Sequence, residues 1–353
     1  MAYVDSNLND PEKYFSATLY TGNATARTIA TGHQSDLVWL KRRDGAAGHR
    51  IADSVRGATK LLYADSNTSE QTDSDSITGF VSTGFTLGDD GGGFDVNTNT
   101  NTMVAWSWKA GTSFTNDASA TSVGSIDSAG SINTTAGISI IEYSGTGSQG
   151  TIAHGLQAKP GTLWFKRLDT TGNWVNYHQS IGATKYLRFD TNAAEITASD
   201  EFNDTEPTTS VFTVDTDGAV NASGTDNHIV YCFAEKQGFS KFGSYTGNGN
   251  ADGPMIVTGM RPSFVLVKRT DGTDHWTLWD NKRESNPNNN VLYPSLTDAE
   301  STSDSSYLCD FLSNGIKWRG TSTGMNASGA NYVYMAFAEA PFVNSKGVPC
   351  NAK

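Results

Sequence analysis

Short apolar runs separated by polar, glycine-rich stretches dominate the chain. The runs are rich in Val, Ile, Phe, Trp and Tyr and are bounded by Gly, Asn, Asp or Pro, which is typical of β-strands. Residues 174–177 and 276–280 alternate apolar and polar side chains, as in strands with one buried and one solvated face. No stretch of about 12 residues places apolar side chains at helical spacing. The pattern predicts an all-β fold with little helix.

A tetrad of the form Lys-Arg-any residue-Asp follows an apolar run at three places, and a glutamate keeps step with each tetrad. The first two tetrads are 125 residues apart and the last two are 102 apart. Three occurrences in one context predict an internal repeat. The repeated residues are Lys41, Arg42 and Asp44; Lys166, Arg167 and Asp169; Lys268, Arg269 and Asp271; and Glu70, Glu195 and Glu300.

Each repeat opens with a tyrosine and turn residues and closes with a strand-like run, which sets the limits of three modules. About seven short strands per module predict antiparallel β-sandwiches or partly open barrels, with jelly-roll or lectin-like topology favoured. The sequence does not define the strand order. The predicted segments are an N-terminal arm at 1–14, module 1 at 15–110, a linker at 111–136, module 2 at 137–238, module 3 at 239–343 and a C-terminal tail at 344–353.

Two polar segments interrupt the regular repeat. Segment 111–136 has almost no large apolar side chain, so it cannot bury enough surface to offset its ordering entropy alone, and we expect a linker or a strap laid over a neighbour. Residues 286–290 form an insertion in the third repeat, which predicts a lengthened surface loop.

Composition and charge narrow the functional classes. A net charge of −12 and a pI near 4.9 oppose binding to the phosphate backbone of nucleic acids. No apolar run of about 18 residues predicts a membrane span, and the first ten residues lack the features of a signal peptide, so we expect a soluble product of the cytoplasm. Three cysteines, Cys232, Cys309 and Cys350, lack CxxC spacing and are expected to be reduced.

The repeated polar residues have a structural and a binding interpretation. Structurally, the tetrad aspartate accepts hydrogen bonds from turn amides at the step into the next strand, and the lysine stem packs over an apolar surface. In a binding role, the arginines grip anionic sugars or carboxylates of a partner. Repetition in all modules favours the structural interpretation. We further expect a pairing such as Lys41 with Glu70 to clamp two strands within a module.

Catalytic and cofactor chemistry has little support. A glycosidase needs two carboxyl groups about 5 to 10 Å apart, whereas one glutamate per module recurs with the repeat and the other acids are scattered in loops. The six histidines show no HxH or HxxxH spacing, no GxSxG motif is present, and the Gly-rich stretches are not followed by a helix. Asp89, Asp90 and Asp95 have the oxygen chemistry of a Ca²⁺ site, although an ordinary acidic loop is favoured. We therefore predict no enzyme activity and no cofactor.

Tryptophans close to one another allow either a sugar-stacking platform or a core. Trp106 and Trp108 share one face of a strand, and Trp276 and Trp279 lie near each other in module 3. Because a sandwich core also needs large aromatic side chains, the core interpretation is favoured.

Several motifs together resemble a repeat family found in virion proteins of marine bacteriophages. They include the Tyr-Thr-Gly-Asn openings, Gly57-Ala-Thr-Lys, Gly84-Phe-Thr-Leu-Gly, the Ala105–Gly111 ending and the run from Tyr334 to Phe342. The resemblance implies a particle component, often described only as structural or tail-fibre-like, with no catalytic residue set. Module 3 departs from it because it lacks the Gly-Ala-Thr-Lys segment and the Ala-Trp-Ser-Trp ending.

From this resemblance we expect a structural protein of the virion, assembled in the host cytoplasm. A tail fibre or another outer appendage is favoured, with other virion proteins as partners, a homo-oligomer such as a trimer, and contact with a host surface glycan. The alternatives are capsid decoration and a glycan-binding or glycan-degrading receptor-binding protein.

Overall fold

A computed structural model describes Leu8, residues 10–224 and residues 226–339. It confirms an all-β fold of antiparallel, sandwich-like modules. Most of the predicted N-terminal arm, the C-terminal tail and Cys350 lie outside the described residues. The three α-helices have four residues each, and no helix in the described ranges is long and apolar enough to cross a membrane.

Module 1 consists of two facing sheets. The larger has the order β1-β9-β3-β4-β5-β6 and the smaller the order β2-β8-β7. A 3₁₀ helix at Pro11–Lys13 precedes the first strand. The strands are β1 (Phe15–Thr21), β2 (Arg27–Ala30), β3 (Leu37–Arg42), β4 (Arg50–Asp53), β5 (Lys60–Tyr63), β6 (Gln71–Thr72), β7 (Ile77–Val81), β8 (Gly84–Leu87) and β9 (Thr102–Trp108).

Segment 111–136, predicted to be a linker or a strap, folds as two strands that widen the main sheet of module 2. They are β10 (Thr112–Asn116) and β11 (Ser128–Asn133), and a short helix, α1 (Ala118–Thr121), connects them. Strand β11 pairs along the opening strand of module 2, from Ala129 opposite Glu142 to Asn133 opposite Ile138. A polar segment can therefore be ordered by backbone hydrogen bonds to an existing sheet, without a core of its own.

Module 2 has the main sheet order β10-β11-β12-β19-β14-β15, with two smaller sheets, β13-β18 and β16-β17. Its elements are β12 (Ile138–Ser144), β13 (Gly150–Ala153), β14 (Thr162–Arg167), β15 (Val175–His178), β16 (Lys185–Tyr186), β17 (Ile196–Thr197), β18 (Val211–Val214), α2 (Gly218–Asn221) and β19 (Asn227–Phe233).

Module 3 has the sheet orders β20-β26-β22-β23 and β21-β25-β24. Its elements are β20 (Ser240–Thr246), β21 (Met255–Val257), β22 (Phe264–Arg269), β23 (Thr277–Asp280), a 3₁₀ helix at Ser305–Tyr307, β24 (Cys309–Leu312), β25 (Gly315–Trp318), α3 (Thr323–Asn326) and β26 (Asn331–Phe337). In every module the closing strand thus lies between the opening strand and the strand that carries the tetrad.

The insertion at 286–290 is a loop, as its polarity predicted, but it lies only partly at the surface: Pro287 is exposed, and Asn286 and Asn289 are half-buried. Asn288 is fully buried and Asn290 nearly so. The backbone of Asn288 exchanges two hydrogen bonds with Cys309, and its amide donates to the carbonyl of Asp280 at 2.8 Å. Because these hydrogen bonds satisfy its polar groups, Asn288 can lie inside the module while its neighbours remain at the surface.

The tetrad strands face two cores at once. In β3, Leu37 and Trp39 point into a central core shared by all modules, whereas Val38 and Leu40 point into the core of module 1 alone. Strands β14 and β22 divide their side chains in the same way. Because both faces are buried, these strands appear in the sequence as continuous apolar runs rather than alternating ones.

Three aromatic rings, one from each closing strand, meet inside the central core. The ring centroids of Trp108 and Phe233 are 6.2 Å apart, those of Trp108 and Phe337 are 5.6 Å apart, and those of Phe233 and Phe337 are 5.8 Å apart. Such distances are typical of favourable aromatic pairs. The modules therefore pack around a common centre rather than as beads on a string.

Candidate functional site

The tetrad lysines bridge neighbouring modules. Lys41, Lys166 and Lys268 are at most 1% exposed. Each ammonium group donates to a carbonyl of its own module and to one of an adjacent module. The bonds between modules are Lys41 Nζ to Thr297 O at 3.3 Å, Lys166 Nζ to Asn67 O at 3.3 Å and Lys268 Nζ to Asn192 O at 3.5 Å. Module 1 is thus linked to module 3, module 2 to module 1, and module 3 to module 2.

Burial changes the acid–base behaviour of these lysines. Loss of solvent lowers the pKa of Lys41, Lys166 and Lys268 to about 8 in each case. The sequence predicted a packed lysine stem, but the charged end is also buried. Its hydrogen bonds to backbone carbonyls partly replace lost hydration.

The tetrad aspartates reach further than the adjacent turn. Asp44 accepts a hydrogen bond from the backbone N–H of Thr102 at 2.8 Å, and Asp271 accepts one from Asn331 at 2.9 Å. Asp169 accepts the corresponding bond from Asn227. Each acceptor fixes the start of the closing strand, which is distant in sequence and not the strand that follows the tetrad. The structure therefore places the predicted amide contact on a different strand.

The tetrad arginines lie partly exposed at the ends of their strands. Arg42 and Arg269 pair with the aspartate two residues later, each at 2.8 Å. Arg167 pairs with Asp226 instead. About a quarter of each arginine side chain is accessible to solvent.

The repeated glutamates close the modules into a ring. Their backbone N–H groups donate to carbonyls inside the tetrads of the next module: Glu70 to Leu168 at 2.9 Å, Glu195 to Thr270 at 2.8 Å, and Glu300 to Arg43 at 2.8 Å. The contacts run from module 1 to 2, from 2 to 3, and from 3 back to 1. Equivalent contacts that close after three steps give an approximately threefold arrangement within one chain.

The predicted pairing of Lys41 with Glu70 is wrong, because Lys41 bonds carbonyl groups. Glu70 pairs instead with Arg56 at 3.3 Å and Lys60 at 3.0 Å. The other two glutamates also hold cations: Glu195 holds Lys185, and Glu300 holds Arg43 and Arg283 at 2.8 and 2.7 Å. Arg43 belongs to module 1 and Arg283 to module 3, so Glu300 connects the first and third modules.

Buried ion pairs beside the glutamates were not predicted from the sequence. Asp280 and Arg283 are fully buried, and the Asp280 carboxylate also accepts a hydrogen bond from the indole of Trp106 in module 1 at 3.0 Å. Asp53 pairs with Arg56 in the same manner and accepts from the hydroxyl of Tyr231 in module 2 at 2.7 Å. The two Asp-x-x-Arg segments stand at equivalent positions of repeats 1 and 3, and this equivalence could have indicated the ion pairs from the sequence.

Module 2 has no aspartate at the position of Asp53 and Asp280. His178 replaces the aspartate at the repeat spacing, and Nε2 of its ring lies 3.2 Å from the carbonyl oxygen of Tyr334 in module 3. Burial lowers the pKa of His178 to about 4, so the ring is neutral at physiological pH. The third interface therefore contains no buried charge at this point.

A polar cavity of about 350 Å³ lies at the interface of modules 1 and 2. It brings Glu70 and Asp169, both singled out from the sequence, together with Arg56, Lys60 and Glu142. Burial raises the pKa of Glu142, and the nearby acids Asp53 and Glu70 add to the effect. The cations in its wall, Arg56 and Lys60, already form ion pairs with Glu70 inside module 1, so the charges on this side of the cavity largely compensate one another.

The remaining candidate residues are parts of the scaffold. Trp106 and Trp108 are fully buried in the central core, while Trp276 and Trp279 face different cores. The Asp90 carboxylate accepts hydrogen bonds from the backbone of Val96 at 3.1 Å and the hydroxyl of Thr98 at 2.7 Å, so it fixes its own loop. Across the described residues, no three His, Cys, Asp or Glu side chains are placed to hold a metal ion.

The two described cysteines, Cys232 and Cys309, are free and buried. Burial raises the pKa of Cys232 to about 12 and that of Cys309 well above its usual value, so neither carries a reactive thiolate at neutral pH.

Comparison with known proteins adds a family but no activity. A search of curated proteins gives no match. One family model, described as "Domain of unknown function (DUF7483)", matches residues 10–341, which include all three modules. The chain belongs to the DUF7483 family.

Proposed function

We propose that this protein is a structural component of a bacteriophage particle, in a tail fibre or another outer appendage, where it contacts partner subunits and the host surface. The proposal combines the motif resemblance to virion repeat proteins with one observation of geometry. That observation is the closed ring, in which the repeated lysines and glutamates make equivalent contacts at all three interfaces.

A ring of this kind suits a mechanical role. Each module shares its main apolar face with the other two, so separating one module would expose the central core to water. The buried lysines and ion pairs add directional contacts that fix the relative orientation of the modules. Loops at the outer ends of the sandwiches can then vary without disturbing the ring.

The threefold geometry within one chain favours partners that are themselves trimeric. Three similar faces around one axis complement a trimeric partner, and symmetric contacts multiply weak affinities. Under this proposal the neighbours are other virion proteins, and the assembly forms in the host cytoplasm before release.

Cryo-electron microscopy of intact particles, with the chain built into the map and its copies counted, tests the proposal. A few symmetric copies on the tail or a fibre are expected. Hundreds of copies over the head lattice would replace the appendage assignment by capsid decoration. Absence from purified particles, checked by mass spectrometry of the same preparation, would refute a structural role in the virion.

A further inference from the structure

Module 2 contains a second cavity, of about 250 Å³, outside the central core. Its lining residues Gly172 and Arg188 also contact modules 1 and 3 through backbone hydrogen bonds. Its wall includes Arg167 at the end of β14, Tyr186 at the end of β16, Arg188 two residues later, Glu201, and Asp217 beside α2. The two cations and two acids come from separated parts of the module. Only the fold brings them together, which explains why no local sequence motif indicated the cavity.

Several polar groups in this wall lack partners within the protein. Glu201 is only 3% exposed; the Tyr186 hydroxyl interacts with its carboxyl group, but its Oε2 atom has no hydrogen-bond partner. The Nε atoms of Arg167 and Arg188 are also buried and unpaired. Unsatisfied buried polar groups are costly, so a cluster of them lining one cavity requires an explanation.

The electrostatic environment of Glu201 agrees with a built site. Burial raises its pKa to about 7, and the carboxylates of Asp217 and Asp200 act in the same direction. The Tyr186 hydroxyl accepts a hydrogen bond from Arg188 at 3.3 Å, which places the guanidinium beside the aromatic ring.

The corresponding space in the other modules is occupied by side chains. In module 1, Arg50 stands at the repeat position of Val175, and its guanidinium stacks 4.2 Å from the ring centroid of Tyr63. In module 3, Tyr293 and Tyr307 pack edge to face at 5.8 Å in this region. Several residues that line the cavity in module 2 are therefore not conserved in kind at the equivalent positions of modules 1 and 3.

The mixture of charges restricts the chemistry of a ligand. A phosphate or carboxylate ligand would meet Glu201 and Asp217, and a cationic ligand would meet the two arginines. A hydroxyl group both donates and accepts hydrogen bonds, so a neutral polyol can satisfy guanidinium and carboxylate groups together. The volume is small for a ligand pocket and suits a single sugar ring.

We propose that this cavity, lined by Arg167, Tyr186, Arg188, Glu201 and Asp217, binds one neutral sugar residue. The arginines donate to ring hydroxyl oxygens, the carboxylates accept from hydroxyl groups, and the tyrosine ring forms an apolar part of the wall. This goes beyond the proposed structural role and does not depend on the position of the protein in a particle.

Saturation-transfer NMR on the full chain tests the site with methyl glycosides of glucose, galactose and mannose, with inorganic phosphate as a competitor. We expect transfer to at least one glycoside and no displacement by phosphate. Longer oligosaccharides that end in the same sugar are tested in parallel. If they bind at least as tightly as the methyl glycoside, the natural ligand is a glycan terminus; if the methyl glycoside binds more tightly, it is a free monosaccharide. The proposal would be overturned if no neutral glycoside received saturation from the protein, or if phosphate displaced the bound glycoside.

Two kinds of variant locate the binding. Glu201→Gln and Arg188→Gln each remove a charged hydrogen-bonding group, and we expect affinity to fall about ten-fold. Asp204→Asn makes the same charge change on an exposed residue of the neighbouring loop and is expected to leave binding unchanged. Should a buried variant fail to fold, Thr171→Trp at the exposed rim obstructs the cavity and must abolish transfer. Unchanged binding in Glu201→Gln or in Thr171→Trp would place the sugar elsewhere and refute the assignment.

Discussion

The buried pair of Asp280 and Arg283 offers a quantitative test of how the ring is held together. Oδ2 of Asp280 accepts hydrogen bonds from Nε of Arg283 at 2.5 Å and from the indole of Trp106 at 3.0 Å. Asp280→Asn puts an amide N–H₂ or a neutral oxygen where two donors need a carboxylate. The variant therefore leaves the buried guanidinium less compensated and weakens a contact between modules 3 and 1.

The expected cost is set by burial. Removing one partner of a fully buried ion pair costs about 3–5 kcal/mol, and the remaining contact of Arg283 with Glu300 at 2.7 Å places this variant near the lower end, at about 3 kcal/mol. Asp310→Asn is the matched control. Asp310 pairs at 2.7 Å with Arg319, whose side chain is 46% exposed, and such pairs contribute about 0–1 kcal/mol.

Urea unfolding at pH 7, followed by tryptophan fluorescence and circular dichroism, measures Asp280→Asn, the control Asp310→Asn, the single variant Arg283→Met and the double variant Asp280→Asn, Arg283→Met. If the uncompensated charge causes the loss, the double variant loses less free energy of unfolding than the two single losses combined. Additive losses, or a cost for Asp280→Asn equal to that of Asp310→Asn, would refute the reasoning.

Three further predictions concern the lysines, the central core and the segment at 111–136. Because Lys41, Lys166 and Lys268 have a folded pKa of about 8 against about 10.4 when unfolded, the unfolded chain binds more protons between these values. From pH 7.5 to 9.0 each lysine should raise the free energy of unfolding by about 1 kcal/mol, while the raised pKa of the buried thiols of Cys232 and Cys309 acts in the opposite direction. The stability of Lys166→Met should therefore rise by about 1 kcal/mol less than that of the native chain over this range, and equal rises would contradict the reasoning. Phe233→Ala should cost about 3–5 kcal/mol and increase amide exchange in all three modules, whereas Phe212→Ala, in the core of module 2 alone, should act mainly there. A Cβ atom at Gly130 would lie 1.9 Å from the carbonyl oxygen of Ile140, so Gly130→Ala should detach β11 and make 111–136 sensitive to limited proteolysis, whereas unchanged cleavage would count against the required close approach.

Residue pattern alone determined where the apolar strands of this protein lie. Short apolar runs rich in β-branched and aromatic residues, bounded by turn formers, can bury themselves only as strands, and the tetrad strand lies where predicted in every module. Strand formation depends on nearest neighbours and on side-chain shape, both of which are readable along the chain. The same holds for the scarcity of helix.

Tertiary structure decided how those strands combine. The ring, the pairing of Glu300 with Arg43 across most of the chain, and the cavity around Glu201 each depend on residues far apart in sequence. The segment at 111–136 became two strands because the open edge of β12 supplied hydrogen bonds that its own composition could not. Polar residues such as Lys166 and Asn288 could be buried because distant carbonyls satisfied them, and the identity of such partners follows from packing rather than from local pattern.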